Sequence, residues 1–122
     1  MKRALHSDAL KLVRDARKRA KKKRLAMELV ADDIVALYSG QRGLCVLSGR
    51  PLEFGRTSRN SANAVSLDRI IAGQAYARPN VQLLCRCVNI AKSTLSTEEF
   101  VRMCTDVARN RNSSSSDDDG QE

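Results

Sequence analysis

The feature that most constrains this fold is a pair of short apolar runs, Ala64-Val-Ser-Leu67 and Val81-Gln-Leu-Leu84, separated by a loop that carries Gly73 and Pro79. Short apolar segments bounded by turn residues read as strands, and two so joined fit a hairpin with a long connection. The other regular patterns in the chain are helical. The expected class is therefore α+β, and 122 residues are enough for one modest core rather than two.

The stretch from Lys2 to Arg24 contains neither Gly nor Pro, and Leu5, Ala9, Val13, Ala16 and Ala20 recur at helical spacing. It predicts a long N-terminal helix. A second, shorter helix is predicted from about Ala31 to Tyr38, with Ser39-Gly40 as its stop signal. The segment from Gly43 to Gly55 is glycine-bounded and turn-rich, and Thr57 to Asn63 is polar and loop-like. Cys85 to Lys92 reads as a short helix. Ser96-Thr-Glu-Glu99 before Phe100, Val101, Cys104 and Val107 is a capping-box pattern, which predicts a last helix over about 97–109. Beyond Arg111 no apolar residue offsets the entropy of ordering, so a disordered acidic tail is expected over 111–122.

Charge narrows the partner. Lys and Arg number 22 against 14 Asp and Glu, for a formal net charge of +8, and half of those cations fall between Lys2 and Arg24. Dense like charges repel one another, and counterion release on phosphate binding relieves that cost. Arg17, Lys18, Arg19, Lys21, Lys22, Lys23 and Arg24 are thus candidate phosphate-binding residues on the basic helix, with a solvated helix face as the plainer alternative. No apolar run approaches the ~20 residues of a membrane span and no signal-peptide pattern opens the chain, so a soluble, intracellular protein with no membrane partner is expected. The location is nuclear if the host is eukaryotic, otherwise cytoplasmic or virion-associated. Tyr38, Tyr76, Phe54 and Phe100 are too few for a base-stacking platform, which favours contact with a duplex backbone.

The segment with most chemistry reads Ser66-Leu-Asp68-Arg69-Ile70, then Gly73 and Tyr76, then Asn80-Val-Gln-Leu-Leu-Cys85, then Asn89-Ile-Ala-Lys92. Together with Cys45-Val-Leu-Ser-Gly49-Arg-Pro51-Leu52 upstream and Glu98-Glu99-Phe100 downstream, it resembles the HNH (His-Me finger) endonuclease family, in a phage- and virus-type branch with Asp-Arg-Ile in place of Asp-His-Ile. The resemblance covers roughly Gln41 to Val107. It implies a ββα-metal core over 41–110, preceded by a basic helical region over 1–40 that carries the N-terminal and the second short helix, and followed by the C-terminal helix.

What the resemblance implies for the site is specific. Asp68, Arg69 and Asn89 would be the catalytic residues, with Asp68 and Asn89 holding one divalent ion, and oxygen donors of that kind suit Mg²⁺ or Mn²⁺. Such an ion stabilises charge that develops on a phosphodiester under attack by water. Asn80 would tie the hairpin loop together, and Arg69 and Lys92 would meet phosphate. Arg69 also stands where the family keeps its catalytic histidine, and a guanidinium cannot act as a base. The single histidine, His6, lies far upstream. Three routes stay open: metal-bound water ionises without a protein base, another carboxylate such as Glu53 serves, or turnover has been lost. Cys45 and Cys85 match two positions of a four-cysteine zinc site, but Ser48 and Val88 occupy the next two, so no structural zinc is expected, and Cys87 and Cys104 read as core thiols.

Three function classes follow: a metal-dependent endonuclease or nickase acting on DNA, with RNA as the alternative substrate; a nucleic-acid-binding module of the same fold without turnover; and a genome-neutralising structural protein such as a virion component. Oligomeric state is left open by the sequence.

Overall fold

The computed structural model describes residues 2–121, with side chains described for residues 3–113. Among the described residues there are four helices and one two-stranded antiparallel sheet: α1 (Lys2–Lys23), α2 (Ala31–Gly40), β1 (Val65–Arg69), β2 (Val81–Cys85), α3 (Arg86–Lys92) and α4 (Thr97–Gln121). The architecture is mixed helix and sheet, as the two apolar runs predict. Single 3₁₀ turns at Arg56–Ser58 and Arg78–Asn80 punctuate the loops. No helix among the described residues is long and apolar enough to cross a membrane.

α1 forms because nothing in its sequence breaks a helix, and it packs because one stripe is small and apolar. Ala9, Val13, Ala16 and Ala20 are buried, so the helix lies directly against α2 and β1. Those residues join Leu29, Ile34, Leu52, Leu67, Leu83 and Leu84 in a single hydrophobic cluster. The N-terminal helical region is therefore a wall of the same core that the hairpin occupies. Asp8, buried in α1, fastens it by accepting the Gly55 backbone N–H at 2.7 Å and an Arg59 guanidinium N–H at 3.4 Å.

The hairpin register pairs Val65 with Cys85, Leu67 with Leu83, Asp68 with Gln82 and Arg69 with Val81. Gln41 closes the other edge of β2. Its side-chain amide donates to the Leu83 carbonyl at 2.9 Å and accepts the Leu83 N–H at 3.0 Å, imitating a third strand at one residue. α3 follows β2 without a linker and packs on both strands. Gly43 has φ +73°, and a Cβ there would meet the Tyr38 hydroxyl at 3.0 Å, so both the turn and the packing require glycine.

α4 starts as its capping box dictates, with Glu99 N–H donating to Ser96 Oγ and Ser96 N–H donating to the Glu99 carboxylate, both at 3.1 Å. Phe100 is its buried anchor. The helix then continues past Arg109, where the capping and apolar signals end, to Gln121. The segment 111–122, expected to be disordered, thus lies almost wholly within α4. Its side chains from Ser114 onward, and Glu122 altogether, fall outside the described residues.

Candidate nucleic-acid interface

A cleft of about 390 Å³ opens between α1 and the β1–β2–α3 unit. On one bank stand Asp15, Arg19 and Lys23 of α1, and on the other Ser66, Asp68, Arg69 and Asn89, with Tyr76 between. Residues far apart in sequence converge because α1 lies along β1 and α3 returns over it.

Asp68 is the most constrained member. Its residue is only 5% exposed, and the cross-strand register sets Gln82 beside it, whose amide donates to Oδ2 at 2.9 Å. The Lys92 ammonium approaches the same carboxylate, 3.3 Å from Oδ1 and 3.2 Å from Oδ2. A buried carboxylate needs such partners, because removing a charge from water costs several kcal/mol unless it is paired and hydrogen-bonded.

Lys92 therefore differs from its expected role. It is 2% exposed and its ammonium is turned into the protein, so in this arrangement it neutralises Asp68 and does not face phosphate. The reason lies in helix geometry: Lys92 is three residues after Asn89, on the same face of α3, and that face covers β1. Asn89 donates through Nδ2 to Ser66 Oγ at 2.6 Å and to the Leu67 carbonyl at 3.3 Å. Its Oδ1 has no hydrogen-bond donor among the described residues, and Asn89 lines the cleft. The site thus offers one carboxylate and one amide oxygen, the donor type that hard divalent cations take.

Arg69, at the end of β1, donates from Nη1 to the Gln74 carbonyl at 3.1 Å, and its guanidinium carbon lies 4.7 Å from the centroid of the Tyr76 ring. Arg19 reaches the same tyrosine from α1, donating from Nε to Tyr76 Oη at 3.2 Å. Asn80 spans the loop between the strands, accepting the Ile71 N–H at 2.9 Å and donating to the carbonyls of Ile71 and Ala75 at 3.2 and 3.0 Å. Arg17, Lys18, Lys21, Lys22 and Arg24 are exposed on α1 and its end without lining the cleft.

Neither alternative base enters the cleft. His6 is exposed and lines a separate groove with Asp32, Val35 and Tyr38. Glu53 is exposed and pairs through its backbone with Ala64. The second cleft carboxylate is Asp15, which the Lys11 ammonium at 2.7 Å holds below the usual carboxylate range, with Arg14 and Arg19 adding to the effect against partial burial. The sequence assigned no role to Asp15, Tyr76 or Gln82, although the last two lie in the segment with most chemistry. Gln82 was legible in principle, since the residue opposite Asp68 follows once the hairpin register is known.

The cysteines are free. Cys85 Sγ lies 3.7 Å from both Cys87 Sγ and Ser48 Oγ, and the Ser48 N–H points at Cys45 Sγ from 3.5 Å. Burial pushes the Cys85 thiol up. At Cys45 burial acts in the same direction but is outweighed by bonds from Ser48 and neighbouring backbone N–H groups, which draw that thiol down. Cys104 stands apart, exposed on α4. No group of three or more His, Cys, Asp or Glu among the described residues is arranged to hold a metal ion.

Comparison of the chain with protein-family models, with curated proteins and with solved structures finds no match in any of the three.

Proposed function

We propose that this chain is an HNH-like endonuclease or nickase, which seats the backbone of DNA in the cleft between α1 and a ββα unit and hydrolyses a phosphodiester there. The observation that supports it is convergence. Asp68 and Asn89 come from different elements to one cleft whose facing bank carries Arg19 and Lys23.

Asp68 and Asn89 would hold one Mg²⁺ or Mn²⁺, which when bound supplies Lewis-acid stabilisation of the developing charge. The donor set fits such an ion, since Mg²⁺ commonly takes one or two carboxylates and completes its shell with water and substrate phosphate. The surrounding residues hold these donors still. Gln82 and Lys92 fix the carboxylate, Ser66 and the Leu67 carbonyl fix the amide, and Asn80 fixes the loop that follows Arg69. Arg69 binds rather than accepts a proton, because a guanidinium remains charged at every accessible pH.

A second reading, binding without turnover, is favoured by one observation: Lys92 already neutralises the Asp68 carboxylate, and no imidazole stands in the cleft. Plasmid nicking with Mg²⁺ or Mn²⁺ separates the two. Wild type is expected to nick, and Asp68→Asn combined with Lys92→Met, which removes the carboxylate without stranding its buried partner, to lose activity while retaining its fold. Nicking that survives in that double variant sinks the proposed site. Absence of nicking in wild type together with its gain in Arg69→His establishes the binding reading instead.

A further inference from the structure

Two guanidiniums converge on one buried phenol in the cleft. Tyr76 is 3% exposed, and its ring cannot drift, because the linker after α1 bonds its backbone on both sides: Tyr76 N–H donates to the Ala26 carbonyl at 2.9 Å and Glu28 N–H to the Tyr76 carbonyl at 2.8 Å. Arg69 stacks on the ring at 4.7 Å, and Arg19 lies 5.8 Å from its centroid while bonding its hydroxyl. Each guanidinium spends one N–H on the protein and has others free to donate. The Tyr76 oxygen is occupied as an acceptor, which leaves its own proton to donate.

Among the described residues neither Arg19 nor Arg69 forms an ion pair, whereas Lys11, Arg14, Arg59, Arg78 and Lys92 all do. Asp15, one helical turn before Arg19, is engaged by Lys11 at 2.7 Å and by Arg14 at 3.9 Å. The cluster is thus all donor. Packing alone would be served as well by an uncharged side chain over the ring, and two like charges that share one ring with neither held in an ion pair are unfavourably placed. An anion with two free oxygens satisfies both forks, since guanidinium geometry matches phosphate bidentately.

We infer that Arg19, Arg69 and Tyr76 form a seat for a single backbone phosphate of the nucleic acid, adjacent in the chain to Asp68. This rests on the reading that the cleft takes nucleic acid and names the contact that sets the strand's register there. Lys23, one turn beyond Arg19 on the same bank, extends the positive track, which fits a continuous phosphodiester backbone rather than an isolated ion.

The test is the affinity of a short labelled DNA duplex, measured by anisotropy over a range of salt, for Arg19→Gln, Arg69→Gln, the double variant and Tyr76→Phe. Arg86→Gln and Arg102→Gln, exposed positions outside the cleft, report the effect of losing a charge anywhere. Arg19→Gln and Arg69→Gln are each expected to weaken binding about tenfold, and the double variant to flatten the log–log salt dependence by about one unit, as loss of one phosphate contact does. The double variant should lose less than the product of the two, because both grip one phosphate. Tyr76→Phe keeps both charges, so affinity should fall with the salt slope unchanged and thermal unfolding close to wild type.

Cleft variants no weaker than Arg86→Gln and Arg102→Gln, or a double variant that is strictly multiplicative, overturn the seat while leaving nucleic-acid binding intact. A wild type that fails to bind the duplex overturns both readings. Inorganic phosphate should compete no better than its ionic strength accounts for, and saturable phosphate binding without duplex binding would assign the seat to a free anion and overturn it too.

Discussion

Asp68 and Lys92 sit within hydrogen-bonding distance and almost without solvent, and at such a place the cost of breaking a pair exceeds the benefit of making it. Lys92→Met should destabilise the fold by about 3–5 kcal/mol, because it strands a buried carboxylate, while Asp68→Asn combined with Lys92→Met should recover most of that loss. Urea unfolding of the two single variants and the double variant measures it. A double-variant loss equal to the sum of the two single losses would show that the pair is not coupled. Asp68, Arg69, Asn80 and Asn89 stand out in sequence because the family motif they resemble expects polar residues at the end of the first strand, just before the second, and in the helix. The role of Lys92 does not, because a lysine's direction depends on which face of α3 is covered, and that is decided by the hairpin beneath it. Tyr76 was invisible as a partner of Arg19, since 57 residues separate them and only the packing of α1 brings them together.

Among the elements, α4 owes most to local chemistry. Beyond Phe100 its side chains through Ser113 are exposed or only partly covered, so its start depends on the Ser96–Glu99 capping box rather than on burial. Ser96→Ala should cost about 1 kcal/mol, read as earlier loss of helical signal in thermal unfolding monitored by circular dichroism. The box also carries a pH dependence. Bonds from the Ser96 N–H and side chain hold the Glu99 carboxyl below its ordinary 4.5. Its contribution is therefore fully present above 4.5 and is lost as pH falls through the lowered value in the folded protein. Ser96→Ala keeps the backbone N–H that bonds Glu99 and loses only the hydroxyl, so it should reduce that acid-side dependence without abolishing it. Where the helix begins was legible from four residues. Where it ends was not, because Ser-rich and Asp-rich sequence carries no stop signal of the Gly–Pro kind until Gly120.

For the whole molecule, charge and core are not separate modules. The sequence separated a basic region, 1–40, from the segment after it, but the alanine stripe of α1 is part of the one hydrophobic cluster. A charge series reads the two roles apart: Arg17, Lys18, Lys21 and Lys22, all exposed and none lining the cleft, changed together to Gln should leave unfolding nearly unaltered and flatten the salt dependence of DNA binding. An unchanged slope would confine nucleic-acid contact to the cleft. Removing α1 outright is a different experiment, since it takes away Ala9, Val13, Ala16 and Ala20 from the interior.

Asp8, which ties α1 to the loop at Gly55 and Arg59, gives this arrangement a thermodynamic consequence. A helix that is at once one bank of the cleft and one wall of the interior cannot unfold without releasing whatever is bound to it. Occupancy and melting are then two readings of one equilibrium. A DNA duplex at about a hundred times its Kd should add about 2.7 kcal/mol to the stability of the fold, so Tm plotted against ligand concentration becomes a binding isotherm in its own right.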